Sequence, residues 1–151
     1  MQLTSNAFED GGKIPARYTC DGENVNPPLT VTDVPEAAKG LVLIMDDPDV
    51  PVNVREDGMW DHWVVFNIPT TIRQIAEGKE PEGTPGKGTG GNTSYFGPCP
   101  PDREHRYFFK LYALDCELDL PEGSTKLEVE KAMKGHVLGQ AVLMGRYERG
   151  A

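Results

Sequence analysis

The sequence predicts a mostly β protein, either a sandwich or a Greek key, with two short helices. Several short segments rich in Val, Ile, Tyr and Phe are bounded by Gly, Pro, Asn and Asp, which is the pattern of β-strands. Helical periodicity is scarce, and neither an internal repeat nor an interdomain linker is visible. A chain of 151 residues is long enough for a core of its own, so we expect a single domain over residues 1–151.

The elements follow in order along the chain. The predicted strands are Leu3–Ser5, Pro28–Val31, Gly40–Asp46, His62–Ile68, His105–Leu114 and Val137–Glu148. Thr71–Glu77 is expected to form one or two helical turns. Ser124–Lys134 is the better helix, because Ser124 can cap its start, apolar residues recur along one side, and Gly135 can end it.

Composition excludes several classes of function. The formal net charge of −9 argues against broad nucleic-acid binding and against attraction to anionic membranes, both of which need a basic surface. The longest apolar run, Leu41–Met45, has the length of a strand and not of a membrane span. The first residues lack the pattern of a secretory signal. We therefore expect a cytoplasmic protein with no integral membrane association.

The three cysteines, Cys20, Cys99 and Cys116, are widely spaced and odd in number. They match neither a disulfide framework nor a CxxC metal clip. We expect them to be reduced, small core residues. In a hyperthermophile, a bridge from Cys20 or Cys99 to Cys116 is the alternative.

A glycine-dense segment, Gly78–Ser94, includes the run Gly86–Gly91, which resembles a nucleotide-binding loop. A Walker loop needs Ser or Thr after its Gly-Lys pair, however, and Gly88 stands there. The sequence therefore predicts a flexible surface loop and no nucleotide site.

A group of ionisable and aromatic residues could share one pocket. They are Asp47, Asp49, His62 and His105, with Pro101 and Tyr107 as walls. Because side chains alternate along a strand, His105 and Tyr107 should point the same way, and Asp47 and Asp49 share parity. Taken singly, an Asp-Pro-Asp sequence is a common turn and each histidine could be structural. The Val50–Pro51 bond after the turn is a candidate cis peptide.

Several ordered motifs extend over nearly the whole chain. They are IPARYTCDGEN at residues 14–24, NPPL at 26–29, DDPDVP at 46–51, DHWVVFNIP at 61–69, GPCPP and HRY between 97 and 107, LYALD at 111–115, GHVLG at 135–139 and GRY at 145–147. Together they resemble the phosphatidylethanolamine-binding protein (PEBP) family in its short bacterial and archaeal form, which is described as Raf-kinase-inhibitor-like.

The resemblance implies a PEBP-like Greek-key β-sandwich with a large central sheet and a smaller sheet. It also implies one small cavity for phosphate-like anions, with His105 as its main donating or positive group. The residues that match the family's cavity are Asp47, Asp49, His62, Pro101, His105 and Tyr107. Neither a cofactor nor a metal is implied. The connection from Pro101 to His105 is shortened relative to the family pattern.

Two functions of different classes follow. The first is a non-catalytic binding or regulatory protein that takes a small anion or a phosphorylated ligand. For this function the resemblance implies inhibition of a partner kinase or serine protease, and a homodimer. The alternative is a hydrolase that acts on a phosphate or carboxylic ester through the Asp/His pocket. No GxSxG nucleophile motif supports the alternative. Metal storage or sensing is weaker still, since the chain has three histidines and no paired cysteines.

Overall fold

The computed structural model describes residues 1–150, and these residues form eight strands, one α-helix and a 3-10 turn. In chain order the elements are β1 (Gln2–Thr4), the 3-10 turn (Ala16–Tyr18), β2 (Leu29–Thr32), β3 (Gly40–Asp47), β4 (Trp60–Ile68), β5 (Gln74–Ile75), β6 (Thr84–Pro85), β7 (His105–Leu114), α1 (Lys126–Met133) and β8 (Val137–Tyr147). The prediction of a mostly β sandwich is confirmed. No helix in this part of the chain is long and apolar enough to cross a membrane.

Two antiparallel sheets build the sandwich. The large sheet has the order β6-β4-β3-β7-β8, and the small sheet has the order β1-β2-β5. The main core lies between the two sheets, and a second apolar cluster lies between the large sheet and α1. The central strand β3 is buried at every position because both of its faces are covered. This double burial explains the continuous apolar run in its sequence.

The alternation of side chains along β3 sorts them onto the two faces of the large sheet. Leu43 and Met45 belong to the core between the sheets, whereas Val42 and Ile44 belong to the cluster beneath α1. By the same alternation, the last two residues of β3 point to opposite faces. Two neighbouring aspartates, Asp46 and Asp47, therefore enter two different environments.

The helix predicted at Thr71–Glu77 is absent from the described chain, and this prediction was wrong. The segment makes a turn and then forms β5, where Gln74 and Ile75 pair with β2. Ile75 is buried in the main core, so strand pairing and burial outweigh a weak helical pattern.

The second predicted helix is confirmed with one change at its start. Its N-cap is Thr125 and not Ser124, and Thr125 forms a reciprocal capping box with Glu128. The hydroxyl of Ser124 donates instead to the carbonyl of Pro121. Gly135 follows the helix with a φ of 84°, a left-handed conformation that favours glycine and ends the helix as predicted.

The Gly78–Ser94 segment is mostly exposed and irregular, as predicted, but its middle is part of the large sheet. Its residues Thr84–Pro85 form β6 on the edge of the large sheet, and the Gly86 amide donates to the Val64 carbonyl at 2.7 Å. A Cβ at Gly86 would lie 2.6 Å from a Val64 methyl group. The glycine is therefore needed for a close approach to the sheet, and the prediction was wrong for this part of the segment because composition alone cannot separate these two roles.

Cys20 and Cys99 form a disulfide, and Cys116 is a free, half-buried thiol within residues 1–150. The expectation of three reduced cysteines was wrong, as was the alternative pairing with Cys116. The Cys20 amide donates to the Pro98 carbonyl at 3.1 Å, so two segments far apart in sequence lie side by side. The Val50–Pro51 bond is trans, since no peptide bond in the described residues is cis.

Candidate ligand-binding site

A cavity of about 290 Å³ lies at the end of the large sheet where β3 finishes and β7 begins. Its lining residues are Asp47, Val50, Val54, Trp60, His62, Phe96, Cys99, Pro100, Pro101, His105 and Tyr107. Five of the six residues predicted for the site therefore meet here, and Asp49 is the exception. Apolar side chains form most of the wall, and the polar groups are few, as in many small-molecule sites.

His105 is fully buried and held between two carboxylates. Its Nδ1 lies 2.6 Å from Oδ2 of Asp47, and its Nε2 lies 2.6 Å from Oδ1 of Asp102. A carboxylate only accepts hydrogen bonds, so both contacts are satisfied when both ring nitrogens carry protons. In that arrangement one imidazole ring bridges two carboxyl groups.

Asp102 is the member of this group that the sequence analysis missed. It lies in the short turn between Pro101 and His105, and its side chain is 40% exposed. Burial opposes its ionisation, but the hydrogen bond from His105 and the nearby Arg103 together lower the pKa of Asp102. The shortened connection was the available signal, because a three-residue spacing across a proline turn can bring Asp102 back onto the ring.

His62 reaches the cavity through a β-bulge. Across from β4, Met45 pairs with Trp63 and Asp46 pairs with Asp61, which leaves His62 as the extra residue. The bulge breaks the alternation of side chains, so His62 and Trp63 both lie on the side of the main core. Simple strand parity would have placed these two neighbours on opposite faces.

The hydrogen bonding of His62 fixes its tautomer. Its Nδ1 lies 2.7 Å from the Phe96 carbonyl, so Nδ1 carries the proton. Burial lowers the pKa of His62, and the hydrogen bond to Phe96 offsets this only in part. The ring is therefore neutral near pH 7, and Nε2 is an unprotonated acceptor with no partner among residues 1–150.

The Tyr107 hydroxyl is a buried polar group whose hydrogen-bonding capacity is not satisfied. The residue is fully buried, and its hydroxyl makes no hydrogen bond of good geometry with any residue in the described part of the chain. Burial raises its pKa, and the nearby Asp47 carboxylate raises it further through its charge and through a poorly aligned contact with the hydroxyl. The phenol therefore stays protonated and can donate. The His62 ring meets the Tyr107 ring edge-on, with 5.4 Å between centroids.

Asp49 does not line the cavity, where the sequence analysis placed it. It pairs with Arg106 instead. Its Oδ2 accepts from the Arg106 amide and from Arg106 Nε, both at 2.9 Å, and its Oδ1 accepts from Arg106 Nη2 at 2.8 Å. These hydrogen bonds lower the pKa of Asp49. The parity argument failed because β3 ends at Asp47 and Pro48–Asp49 is a turn, where the period of two no longer applies.

Comparisons with known proteins agree with the fold and with the motifs. The family model described as "Phosphatidylethanolamine-binding protein" matches residues 4–148. A UPF0098 protein of Chlamydia pneumoniae is 52% identical over 99% of both chains. The crystal structure of the Chlamydia trachomatis PEBP homologue CT736 has a TM-score of 0.95 and 50% identity, and the alignment covers 98% of this chain and 97% of that one.

A more distant structure shares the same architecture. Escherichia coli YbcL, described as a new member of the mammalian PEBP family, has a TM-score of 0.87 and 29% identity over 97% of each chain. The sequence match and both structural matches extend over almost the entire chain. The protein therefore belongs to the phosphatidylethanolamine-binding protein family.

Proposed function

We propose that this protein is a non-catalytic binding protein whose cavity takes a small phosphate-like anion or a phosphorylated ligand. The observation that carries the proposal is the fully buried Tyr107 hydroxyl, which lines the cavity and makes no well-formed hydrogen bond within residues 1–150, although the Asp47 carboxylate lies nearby. A buried hydroxyl without a hydrogen bond is costly for the free protein. A ligand oxygen at this place would recover that cost.

An incoming anion reaches the His105 ring by taking the place of the Asp102 carboxylate. Both ring nitrogens are already occupied, so one of the two aspartates has to leave. The Asp47 side chain is 4% exposed, and that of Asp102 is 40% exposed. Asp102 also has Arg103 beside it, with 3.7 Å between Arg103 Nε and Asp102 Oδ2. Asp102 is therefore the group that can turn outwards, and binding is an exchange of one anion for another.

The remaining polar groups select the form of the ligand. The Tyr107 hydroxyl donates to one ligand oxygen, while the unprotonated Nε2 of His62 accepts from a protonated one. A singly protonated phosphate offers both kinds of oxygen. The apolar wall, which includes Val54, Phe96 and Pro100, then contacts the organic part of an ester. We expect a phosphomonoester with an apolar group to bind more tightly than inorganic phosphate.

The lining residues do not favour the hydrolase alternative. The only cysteine among them, Cys99, is bonded to Cys20. Their one hydroxyl group belongs to Tyr107, and the raised pKa of that phenol keeps it protonated. The disulfide also bears on location, because such bonds are typical of oxidising compartments and of hyperthermophile interiors.

Calorimetric titration with inorganic phosphate and with phenyl phosphate tests the proposal. Asp102→Asn should raise the affinity for both ligands roughly tenfold, because a charged competitor becomes a neutral one. Tyr107→Phe should lower it roughly tenfold, because the hydroxyl donor is lost. Tyr112→Phe is the matched control, since this tyrosine lies on the opposite face of β7.

Two results would contradict the proposal. If neither the unaltered protein nor Asp102→Asn binds either ligand, the cavity is not an anion site. If Asp102→Asn weakens binding, Asp102 contacts the ligand and does not compete with it.

A further inference from the structure

A second group of polar side chains lies at the other end of β7, far along the strand from the cavity. Asp115 and Cys116 directly follow β7, and His136 directly precedes β8. The two strands end together, since Leu114 pairs with Val137. The Asp115 amide donates to the His136 carbonyl at 3.0 Å. Adjacent strands therefore hold the three side chains in one place, although Cys116 and His136 are 20 positions apart in the sequence.

The donor atoms of these three side chains are close enough to share one ion. One donor atom from each residue lies within 4.8 Å of the other two, and His136 Nδ1 lies 2.7 Å from Asp115 Oδ1. Around a tetrahedral zinc ion, ligand bonds of about 2.0–2.3 Å place the donor atoms roughly 3.3–3.6 Å apart. The present donor spacings, from 2.7 Å up to 4.8 Å, extend on both sides of that range, so the proposed site requires the side chains to adjust on binding.

The backbone that carries the group is well fixed. The His136 amide donates to the Met133 carbonyl at 2.9 Å, which ties the residue to the last turn of α1. Gly135 supplies the left-handed turn between the helix and β8. Cys116 packs against the apolar cluster beneath α1, so its position is set by burial as well as by the end of β7.

We propose that Asp115, Cys116 and His136 form a binding site for Zn²⁺ or a similar borderline transition-metal ion. The donor set contains one carboxylate oxygen, one thiol sulfur and one imidazole nitrogen. Sulfur and nitrogen donors suit zinc and cobalt, whereas calcium and magnesium require oxygen ligands. Three protein ligands leave a fourth tetrahedral position for water.

The surroundings of the group agree with an ion that enters from solvent. The side chains of His136 and Asp115 are 46% and 45% exposed. An ion pair this exposed contributes little to stability by itself. The stability of the fold therefore does not explain why Asp115 and His136 lie side by side. The overall charge of −9 favours the approach of a cation. With the ionised thiol and carboxylate, a divalent ion makes the site neutral.

Titration with Co²⁺ tests the proposal directly. A cobalt–thiolate bond gives a charge-transfer band in the near ultraviolet, and with the disulfide intact Cys116 is the one thiol that can produce it. We expect the band in the unaltered protein and in Glu117→Gln, a neighbouring exposed carboxylate that lies outside the group. The band should be absent in Cys116→Ser. In His136→Gln and Asp115→Asn, binding should be at least roughly tenfold weaker.

A second measurement leaves the cysteine unchanged. Zn²⁺ should slow maleimide labelling of Cys116 in the unaltered protein and should have little effect on labelling in His136→Gln. Absence of the cobalt band in the unaltered protein would overturn the proposal. The proposal would also be overturned if His136→Gln and Asp115→Asn left both the cobalt band and the labelling rate in Zn²⁺ unchanged. The metal would then bind a cysteine alone.

Discussion

Two adjacent aspartates at the end of β3 lie in opposite environments. Asp46 and Asp47 are 1% and 3% exposed, and they point to opposite faces of the large sheet. Lysines surround Asp46: Lys110 Nζ and Lys126 Nζ lie 3.0 Å and 3.2 Å from its Oδ2. Asp47 meets His105 instead, and His105 in turn meets another carboxylate.

The charges around Asp46 balance. Lys126 also pairs with Asp61 at 2.8 Å, so two carboxylates face two lysines. Burial opposes the charge on Lys126, but Asp61 and Asp46 together raise its pKa. Even so, Asp46 Oδ1 has no hydrogen-bond partner in the described chain, and neither has the Tyr107 hydroxyl on the Asp47 side. The two sides differ because the Tyr107 hydroxyl lines a cavity, whereas Asp46 does not. Under the proposed function, this position beside a cavity, and not buried charge, indicates the ligand site.

The largest loss of stability should come from removing the disulfide, which holds one wall of the cavity on the Asp47 face of the sheet. Cys20 and Cys99 are 79 residues apart in sequence, so their bond closes a long loop in the unfolded chain. The double variant Cys20→Ser/Cys99→Ser should lose about 3–4 kcal/mol of unfolding free energy in a urea titration. It should also bind phenyl phosphate more weakly, because Cys99 lines the cavity.

Cys116→Ser is the control for this pair and should change the stability by less than about 1 kcal/mol. A double variant as stable as the unaltered protein would show that the bond does not form in solution.

The second-largest loss of stability should come from changing Asp46, which lies in the group of two carboxylates and two lysines. Asp46→Asn removes the carboxylate that two partly exposed lysines, Lys110 and Lys126, contact, and the weakened charge-assisted hydrogen bonds should cost about 2–3 kcal/mol of unfolding free energy. Ligand affinity in the cavity should not change, since the Asp46 group lies on the other face of the sheet. Urea unfolding and calorimetric titration of the same variant measure the two quantities.

Asp119→Asn, at an exposed carboxylate, is the matched control. A loss of affinity in Asp46→Asn as large as that in Tyr107→Phe would show that the two faces are coupled and not independent.

The smallest expected effect is on how the unfolding free energy depends on pH, and it comes from His62 on the cavity side of the sheet. Burial lowers the pKa of His62 in the folded protein, whereas in the unfolded chain it is about 6.5. Below that pH the unfolded state binds the extra proton first, so His62 makes the fold less stable as the pH falls. Between pH 7 and pH 5.5, the unaltered protein should lose about 1 kcal/mol more unfolding free energy than His62→Gln.

Glutamine keeps a donor for the Phe96 carbonyl, so the comparison isolates the titration of the ring. Parallel curves for the two proteins over this range would mean that His62 is not buried as described.

The sequence predicted the frame of the molecule well because its long strands are strongly patterned. The apolar run of β3 and the alternation in β7 gave both strands within one residue of their ends. The same alternation placed His105 and Tyr107 on one face, and both line the cavity. Motif order along the chain pointed to the family, and this was confirmed.

What the sequence did not predict depends on contacts between distant segments or on breaks in regular geometry. The bulge at His62 is such a break, and a single sequence carries no signal for it. The Asp102–His105 contact depends on the path of a short turn. The Cys20–Cys99 bond depends on two loops that run side by side. Asp46 and Asp47 are identical in type, and only the elements packed on each face distinguish their roles.

The disulfide also gives the two walls of the cavity different freedom to move. Segment 97–101 is covalently tied to the turn that carries Cys20. Segment 51–58, which contributes Val54 to the cavity wall, has turn hydrogen bonds within itself, from Val54 and Arg55 to Pro51 and from Gly58 to Arg55. It is also widely exposed, with Val52 at 74%. We therefore expect the cavity to open at segment 51–58, so that this segment sets how fast a ligand arrives and how long it stays.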